Sequence, residues 1–261
     1  MANNPNSLEG KVALVIGASS GIGEGIVEAI AECHPKAIVI AARRIELLQQ
    51  ITKRMQSRHG TETYPIQTDV TIPKDLDNLF QKSLERYGRI DIIVNSAGII
   101  QKNNEPLETM SDERIKAITD TNLTAAEYIA KRVIPIFKNQ KSGIYLVITS
   151  EAAEINYDNC EPYCASKAGA NRLIGSLNAT FRLLEKKSVR AYAFALGPGL
   201  IDTKEAKINF PNTPENVWKK AGTPLQFARK SVIPALIDPE KYLSKYSPIR
   251  TIKTANAEDV K

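Results

Sequence analysis

The sequence predicts an α/β fold: a parallel sheet of about seven strands, doubly wound and covered by helices on both faces. Three observations predict it. Short apolar runs rich in branched residues recur along the chain, helical periodicity fills the intervals, and the first run passes through glycines straight into a helix.

Taken in order, the strands are expected at Val12–Ile16, 38–41, Thr63–Gln67, 90–95, 144–149 and 189–195. After the first, Ile22, Ile26, Val27 and Ile30 form an apolar helical stripe. Pro73 stands where a later helix begins, and Leu76, Leu79, Phe80 and Leu84 carry it to Gly88. Strand, helix, strand, repeated, implies right-handed crossovers and strands buried on both faces. No linker-like composition or repeat interrupts the pattern, so residues 1–261 read as one domain. Beyond Thr203 the alternation fades. Pro211, Pro214, Pro224, Pro234 and Pro239 break the chain into short pieces, which suggests a lid or substrate segment at 204–222 and a last strand within 246–252.

Composition narrows the functional classes. With 43% hydrophobic and 25% charged residues, the chain fits a soluble globular protein. The opening MANNPNSLEGK has no apolar h-region, and the run at 37–42 has strand length, so neither a secretory signal nor a membrane span is expected. Cys33, Cys160 and Cys164 lack a CxxC, and His34 and His59 lack ligand-like spacing. Reduced thiols in the cytoplasm and no metal are the expectation. The net charge of +6 includes a basic stretch of Arg43, Arg44, Lys53, Arg54 and Arg58. No aromatic residues interleave with it and no nucleic-acid motif appears, so it reads mainly as a solvated face.

The first strand runs into Gly17-Ala18-Ser19-Ser20-Gly21-Ile22-Gly23 and then directly into a helix. Glycines there let the backbone approach a pyrophosphate, and the helix N-terminus offers free N–H groups and positive potential. The spacing is G-x-x-x-G-x-G rather than G-x-G-x-x-G, and alone it also fits a tight turn. Its place after the first strand makes it a dinucleotide site on a Rossmann-like fold.

At this point the chain resembles the short-chain dehydrogenase/reductase family, from Gly10 to Thr203. Gly17, Gly21 and Gly23 match its glycine motif; Asp69, followed by Val70, matches its adenine-side Asp. Asn95-Ser96-Ala97-Gly98 matches its Asn-Asn-Ala-Gly, and Asn122 its helix Asn. Ser150, thirteen residues before Tyr163, matches its catalytic Ser, and Tyr163-Cys164-Ala165-Ser166-Lys167 its Y-x-x-x-K. Pro198, Gly199 and Thr203, with Ile201 between them, match the nicotinamide side. Ile16 stands where Thr is usual before the first glycine, Ser96 replaces the second Asn, and the Gly-Gly ending is absent.

The resemblance implies a nicotinamide-dependent oxidoreductase with Asn122, Ser150, Tyr163 and Lys167 as its catalytic set. Ser19, Ser20, Ile22, Val70, Ala97 and Gly98 join the cofactor contacts. Reducing a carbonyl leaves an alkoxide that needs a proton, and the reverse reaction needs a base. A cation about 5 Å from the Tyr163 phenol, at an effective dielectric near 20, contributes about 3 kcal/mol and would move it towards roughly 7–8. The family role of Lys167 includes this and a bond to the nicotinamide ribose; Asn122 would hold a relay water, and Ser150 would donate to the substrate oxygen.

NADPH is the expected cofactor. No acid occurs from Ala37 through Ile45, Ala42 occupies the position of an NAD-specific carboxylate, and Arg43 follows at the 2′-phosphate position. Arg44 reads equally as a second phosphate group or as a solvated helix start. The substrate is a carbonyl or alcohol, with pocket walls at 99–100, 151–157 and 204–222. Glu151 and Glu154 read first as solvated loop carboxylates, with a cationic or polyhydroxy substrate as the other reading. Alternatives are an alcohol or hydroxysteroid dehydrogenase, an imine reductase, or a nucleotide-binding regulator. The segment 115–138 and the helix bearing Y-x-x-x-K correspond to the family's subunit interface, so a homodimer or homotetramer is expected.

Overall fold

Branched apolar runs become the strands of one sheet in the computed structural model, which describes residues 7–101 and 105–252. The stretch before Ser7 and the tail after Ile252, on which the leader and chain-end expectations fall, lie outside the described residues. The strands are β1 (Val12–Ile16), β2 (Ala37–Ala42), β3 (Thr63–Gln67), β4 (Ile92–Asn95), β5 (Ser142–Ile148), β6 (Arg190–Pro198) and β7 (Ile249–Ile252). They pair in the order β3-β2-β1-β4-β5-β6-β7, every neighbour parallel. The expected doubly wound sheet is therefore present, with its strand order reversing between β1 and β4.

Side chains alternate across each strand, so one run feeds two cores. On β1, Ala13 and Val15 join one cluster while Leu14 and Ile16 join the other. The first is completed by α1 (Gly21–Ala31) through Ile26, Val27 and Ile30, and by α2 (Ile45–His59) through Leu48, Ile51 and Met55. The second takes Leu76, Leu79 and Phe80 from α3 (Pro73–Tyr87), with residues from two later helices. Burial on both faces explains why β1 and β2 are apolar throughout, each buried Val, Leu or Ile contributing about 1.5–3 kcal/mol.

Two boundaries depart from expectation for reasons that sequence pattern does not carry. β4 starts at Ile92 rather than residue 90, because the Gln140 amide donates to the Ile90 carbonyl at 3.0 Å and accepts from its N–H at 2.9 Å. The helix expected across 115–138 is divided into α4 (Asp112–Thr119), a π-helical turn at Asp120–Thr124, and α5 (Ala125–Gln140). Such turns insert one extra residue and re-aim the side chains they carry. Asn122 lies inside this one.

After α6 (Glu161–Glu185) and β6 come the short pieces that the prolines announced: α7 (Lys204–Asn209), α8 (Glu215–Trp218), α9 (Pro224–Phe227), α10 (Ile233–Ile237) and α11 (Pro239–Leu243). Pro224 and Pro239 each occupy a first helical turn, where a missing N–H costs nothing, and Pro234 follows a π-helical turn at Ala228–Val232 that continues α9 into α10. Phe227, Val232, Leu236 and Tyr242 close the first core. Leu200, Val217 and Trp218 form a third, small cluster with Ala206 and Phe210 packed against it.

Candidate functional site

The reversal of strand order opens a crevice at the carboxyl ends of β1 and β4, where open α/β sheets take ligands. The loop leaving β1 is shaped by close approach. Gly17 has φ +81°, and a Cβ there would lie 2.5 Å from the Ala97 nitrogen, so the loop after β1 packs directly on the loop after β4. At Gly23 a Cβ would lie 2.1 Å from the Gly17 carbonyl oxygen. At Gly21, at φ +59°, a Cβ would lie 3.4 Å from the Thr203 methyl carbon, so the chain after β6 comes against the same loop.

Ser20 precedes α1 without capping it; its hydroxyl instead accepts from the Arg44 guanidinium at 2.8 Å, and the Ser19 hydroxyl accepts at 2.9 Å. The N–H groups of the first turn thus receive no side-chain cap from Ser20. Of the two arginines, it is Arg44 whose side chain reaches the glycine loop. Arg43 is exposed at the end of β2 and its carbonyl accepts from Gln67. Arg44 stays exposed at the start of α2, with its guanidinium held by two serines of the loop, twenty-four and twenty-five residues away. Ala42 is buried at the end of β2. Beyond β3, the Asp69 carboxylate accepts from the Thr71 N–H and hydroxyl, a local turn that fixes it beside buried Val70.

The loop after β4 begins at Asn95, whose Oδ1 accepts from the Ala97 N–H at 3.1 Å. At Gly98 a Cβ would lie 3.1 Å from Lys167 Nζ and 3.2 Å from Asn122 Oδ1, so the loop, α6 and the π-helical turn meet there. On the other wall Pro198 ends β6, the Gly199 N–H donates to the Ile252 carbonyl, and Ile201 bridges Gly222. The Thr203 hydroxyl accepts from the Ala206 N–H and starts α7. The loops after β1 and β4 and the chain after β6 thus come together at this crevice.

Ser150 follows β5, its Oγ accepting from the Ala152 N–H at 3.2 Å. Tyr163 and Lys167 lie one turn apart on α6, with Nζ 5.6 Å from the Tyr163 ring centroid and 3.1 Å from the Ile148 carbonyl, to which it donates. Lys167 is 5% exposed. Burial pushes the Tyr163 phenol up to about 12, against a hydrogen bond with Ser150 that pulls it down. Burial pulls Lys167 down to about 8, opposed by Glu205. The expectation that Lys167 alone brings Tyr163 to roughly 7–8 is not met within the protein's own charges. That reasoning counted the Coulomb attraction and omitted desolvation, which dominates both groups and favours the neutral form of each. Near neutral pH the pair stands as a protonated phenol beside a largely charged ammonium.

The Asn122 side chain is fully engaged. Its Oδ1 accepts from the Ile99 N–H at 2.8 Å, and its Nδ2 donates to the Ile99 carbonyl at 2.9 Å and to Ser166 Oγ at 3.0 Å. It clamps the loop after β4 to α6. Ser166, which accepts from Asn122 and donates to the Tyr163 carbonyl, is a member that sequence reading passed over. Its place inside Y-x-x-x-K was the available signal.

Two further groups were misjudged or missed. Glu151 is 8% exposed and accepts from the Tyr157 hydroxyl at 2.8 Å, so it is no solvated loop carboxylate; Glu154 is exposed. Gln101, 1% exposed, donates from Nε2 to the Asn159 carbonyl and joins the loop after β4 to the loop before α6. Elsewhere the fold gathers Glu28, Glu32 and His59 with ligand atoms within 4.8 Å, a grouping invisible in their spacing. Other side chains already hold those carboxylates: Arg54 pairs with Glu28, His59 hydrogen-bonds to Glu28 at 2.9 Å, and Arg229 pairs with Glu32. Arg54 and Arg58 of the basic stretch are thus spent on α1. Among the described residues no helix is long and apolar enough to cross a membrane.

The chain is 26% identical over 217 residues to the NADP-dependent 3-hydroxy acid dehydrogenase of Schizosaccharomyces pombe, covering 82% of each. It is 29% identical over 255 residues to the sorbose reductase of Candida albicans, covering 97% of this chain and 87% of the relative. Its structure superposes on that of a 7α-hydroxysteroid dehydrogenase complexed with NADH and 7-oxo glycochenodeoxycholic acid, with a TM-score of 0.81 and 26% identity, over 97% of this chain and 96% of the other. The family model for the short chain dehydrogenase matches residues 11–212. With that match spanning the glycine loop, Asn122, Ser150, Tyr163 and Lys167, the chain belongs to the short-chain dehydrogenase family of oxidoreductases.

Proposed function

We propose that this protein is an NADPH-dependent carbonyl reductase that works as a single cytoplasmic domain and a homodimer or homotetramer, with 204–222 as a lid over the substrate. One observation carries the cofactor choice: β2 ends in Ala42-Arg43-Arg44 without an acid, and Arg44 is already held over Ser19 and Ser20. Two cations beside hydroxyls and free N–H groups suit a 2′-phosphate, whereas a ribose diol needs the missing carboxylate. The Schizosaccharomyces relative, named NADP-dependent, supports this reading, and the hydroxysteroid dehydrogenase complexed with NADH is the contrasting case.

The glycine-lined cradle, in which a Cβ at Gly17 or Gly23 would strike backbone, fits a dinucleotide pyrophosphate. When bound, the reduced nicotinamide supplies the hydride. Ser150 donates a hydrogen bond to the substrate carbonyl oxygen, and Tyr163, protonated at neutral pH, gives that oxygen its proton. Lys167, a buried cation at the same locus, stabilises the phenolate left behind and draws a replacement proton inward. Asn122 keeps the loop after β4 and α6 in register, so that these groups keep their spacing.

The test is kcat/KM for a simple ketone with NADPH and with NADH, in wild type, Arg43→Ala, Arg44→Ala and Tyr163→Phe. Wild type is expected to prefer NADPH. Each arginine variant is expected to lose roughly ten- to a hundredfold with NADPH and far less with NADH. Tyr163→Phe is expected to lose at least about a hundredfold while still binding NADPH. Equal or better use of NADH by wild type would defeat the cofactor assignment.

A further inference from the structure

Resting on the carbonyl-reductase reading, we infer that Ser166 is a positioning residue of the reaction: its hydroxyl ties the helical turn that carries Tyr163 to Asn122 and the loop after β4. The polarity of the bonds admits one arrangement. The Ile99 N–H donates to Asn122 Oδ1 at 2.8 Å, which identifies the other amide atom as the nitrogen. That nitrogen has two hydrogens and uses both, one on the Ile99 carbonyl at 2.9 Å and one on Ser166 Oγ at 3.0 Å. Ser166, 2% exposed, therefore accepts from Asn122 and donates its one proton to the Tyr163 carbonyl at 2.8 Å. Donors and acceptors run head to tail from the loop through Asn122 and Ser166 to the Tyr163 main chain, and each bond polarises the next.

Tyr163 needs such a tie because of where it stands. α6 begins at Glu161, so Tyr163 lies in its first turn, where main-chain N–H groups have no partner inside the helix. Cys160 at the N-cap supplies no side-chain cap, and Asn159 before it is held at φ 54°. Lys167, one turn further along, is anchored separately by its 3.1 Å bond to the Ile148 carbonyl. The spacing of the pair is thus set at the Tyr163 end by whatever holds the first turn. Ser166 bonds the very carbonyl that, in a regular helix, also accepts from the Lys167 N–H.

The consequence is chemical as well as mechanical. Ser150 hydrogen-bonds the Tyr163 phenol, and Lys167 Nζ stands 5.6 Å from its ring centroid; both act over distances fixed by the place of this first turn. Without the Ser166 hydroxyl the turn is released from Asn122 and draws away from Lys167 and Ser150. A misplacement of about 1 Å costs roughly a hundredfold in rate. A more distant ammonium also stabilises the phenolate less, which raises the pH at which Tyr163 becomes a base. Asn122 still holds Ile99 by two bonds, so the loop after β4 keeps its place beside the cofactor cradle and NADPH binding changes little.

The experiment measures kcat and KM for a simple ketone with NADPH, and the pH dependence of kcat for the corresponding alcohol with NADP+, in wild type, Ser166→Ala, Ser166→Thr and Ser166→Cys. Thermal unfolding and NADPH affinity of each variant report whether the fold and the cofactor site persist. Ser166→Ala is expected to lose roughly ten- to a hundredfold in kcat, with KM and NADPH affinity within about threefold of wild type. The acid limb of its alcohol oxidation should move to higher pH, and Ser166→Thr, which keeps the hydroxyl, should restore both the rate and the limb. If Ser166→Ala does not fold, Ser166→Cys, whose thiol is only a weak donor and acceptor, carries the same expectation. A kcat within about threefold of wild type in a folded variant without the hydroxyl would overturn the inference while leaving carbonyl reduction standing. So would a loss of rate with the acid limb unmoved, since a merely loosened fold slows turnover without changing the titration of Tyr163. A wild-type protein that turns over no ketone would instead remove the carbonyl-reductase reading and this inference with it.

Discussion

Replacing Lys167 with Met should stabilise the folded protein while abolishing turnover, because the site keeps an ammonium where the fold disfavours charge. Lys167 is 5% exposed, and burial takes its pKa from 10.5 to about 8. Between those values the unfolded chain still holds the proton that the folded chain has released, so this group makes stability rise with pH across that window. Below pH 8 the folded protein carries the full penalty, about 3 kcal/mol from roughly 2.5 pK units at about 1.36 kcal/mol each. Loss of the 3.1 Å hydrogen bond to the Ile148 carbonyl offsets about 1 kcal/mol of the gain. The variant should therefore be about 2 kcal/mol more stable at pH 7, a rise of about 5 °C in Tm for a chain of this size. The difference should shrink from pH 8 upward and reverse above pH 10.5, where neither state is charged and only the lost hydrogen bond, about 1 kcal/mol in favour of wild type, remains. Tyr163, pushed up to about 12, makes stability fall with pH between 10 and 12, but it does so in both proteins and cancels in the comparison. Calorimetry of both proteins at pH 7, 9 and 10.5 decides the matter. A Lys167→Met protein less stable than wild type at pH 7, or a gap that ignores pH, would refute the reasoning. The trade of stability for function is the ordinary one at active sites.

Two further outcomes follow from the same structure. Gly17→Ala forces a Cβ to within 2.5 Å of the Ala97 nitrogen at φ +81°, so urea unfolding should show a loss of at least about 2 kcal/mol and NADPH fluorescence a weakened complex. Static light scattering at micromolar concentration should give at least a dimer, through the faces of α5 and α6, and a monomer would contradict that assembly.

The sheet was legible because its determinants are local. A run such as Val12–Ile16 is branched, apolar and followed by glycines, and no distant residue is needed to make it a buried strand. The glycine loop was legible for the same reason, since a positive φ and a close approach exclude side chains at fixed spacing. Ser150, Tyr163 and Lys167 were read from order and spacing, and the fold brings them to one place. Boundaries were less legible where a distant side chain intervenes, as Gln140 does at Ile90.

What only the tertiary structure decided was environment. Glu151 looks like a loop carboxylate until Tyr157 and the surrounding chain bury it. Arg43 and Arg44 are adjacent in sequence, and only the position of Ser19 and Ser20 across the crevice distinguishes them. The Asn122 amide appears available until the π-helical turn aims it at Ile99 and Ser166. The protonation of Tyr163 and Lys167 is settled the same way: desolvation outweighs their mutual field, and desolvation depends on how densely remote segments crowd the group. Spacing in a sequence records which backbone shapes and faces are possible. The energy of a charge or an unmatched polar atom is set by neighbours that the chain meets only after it has folded.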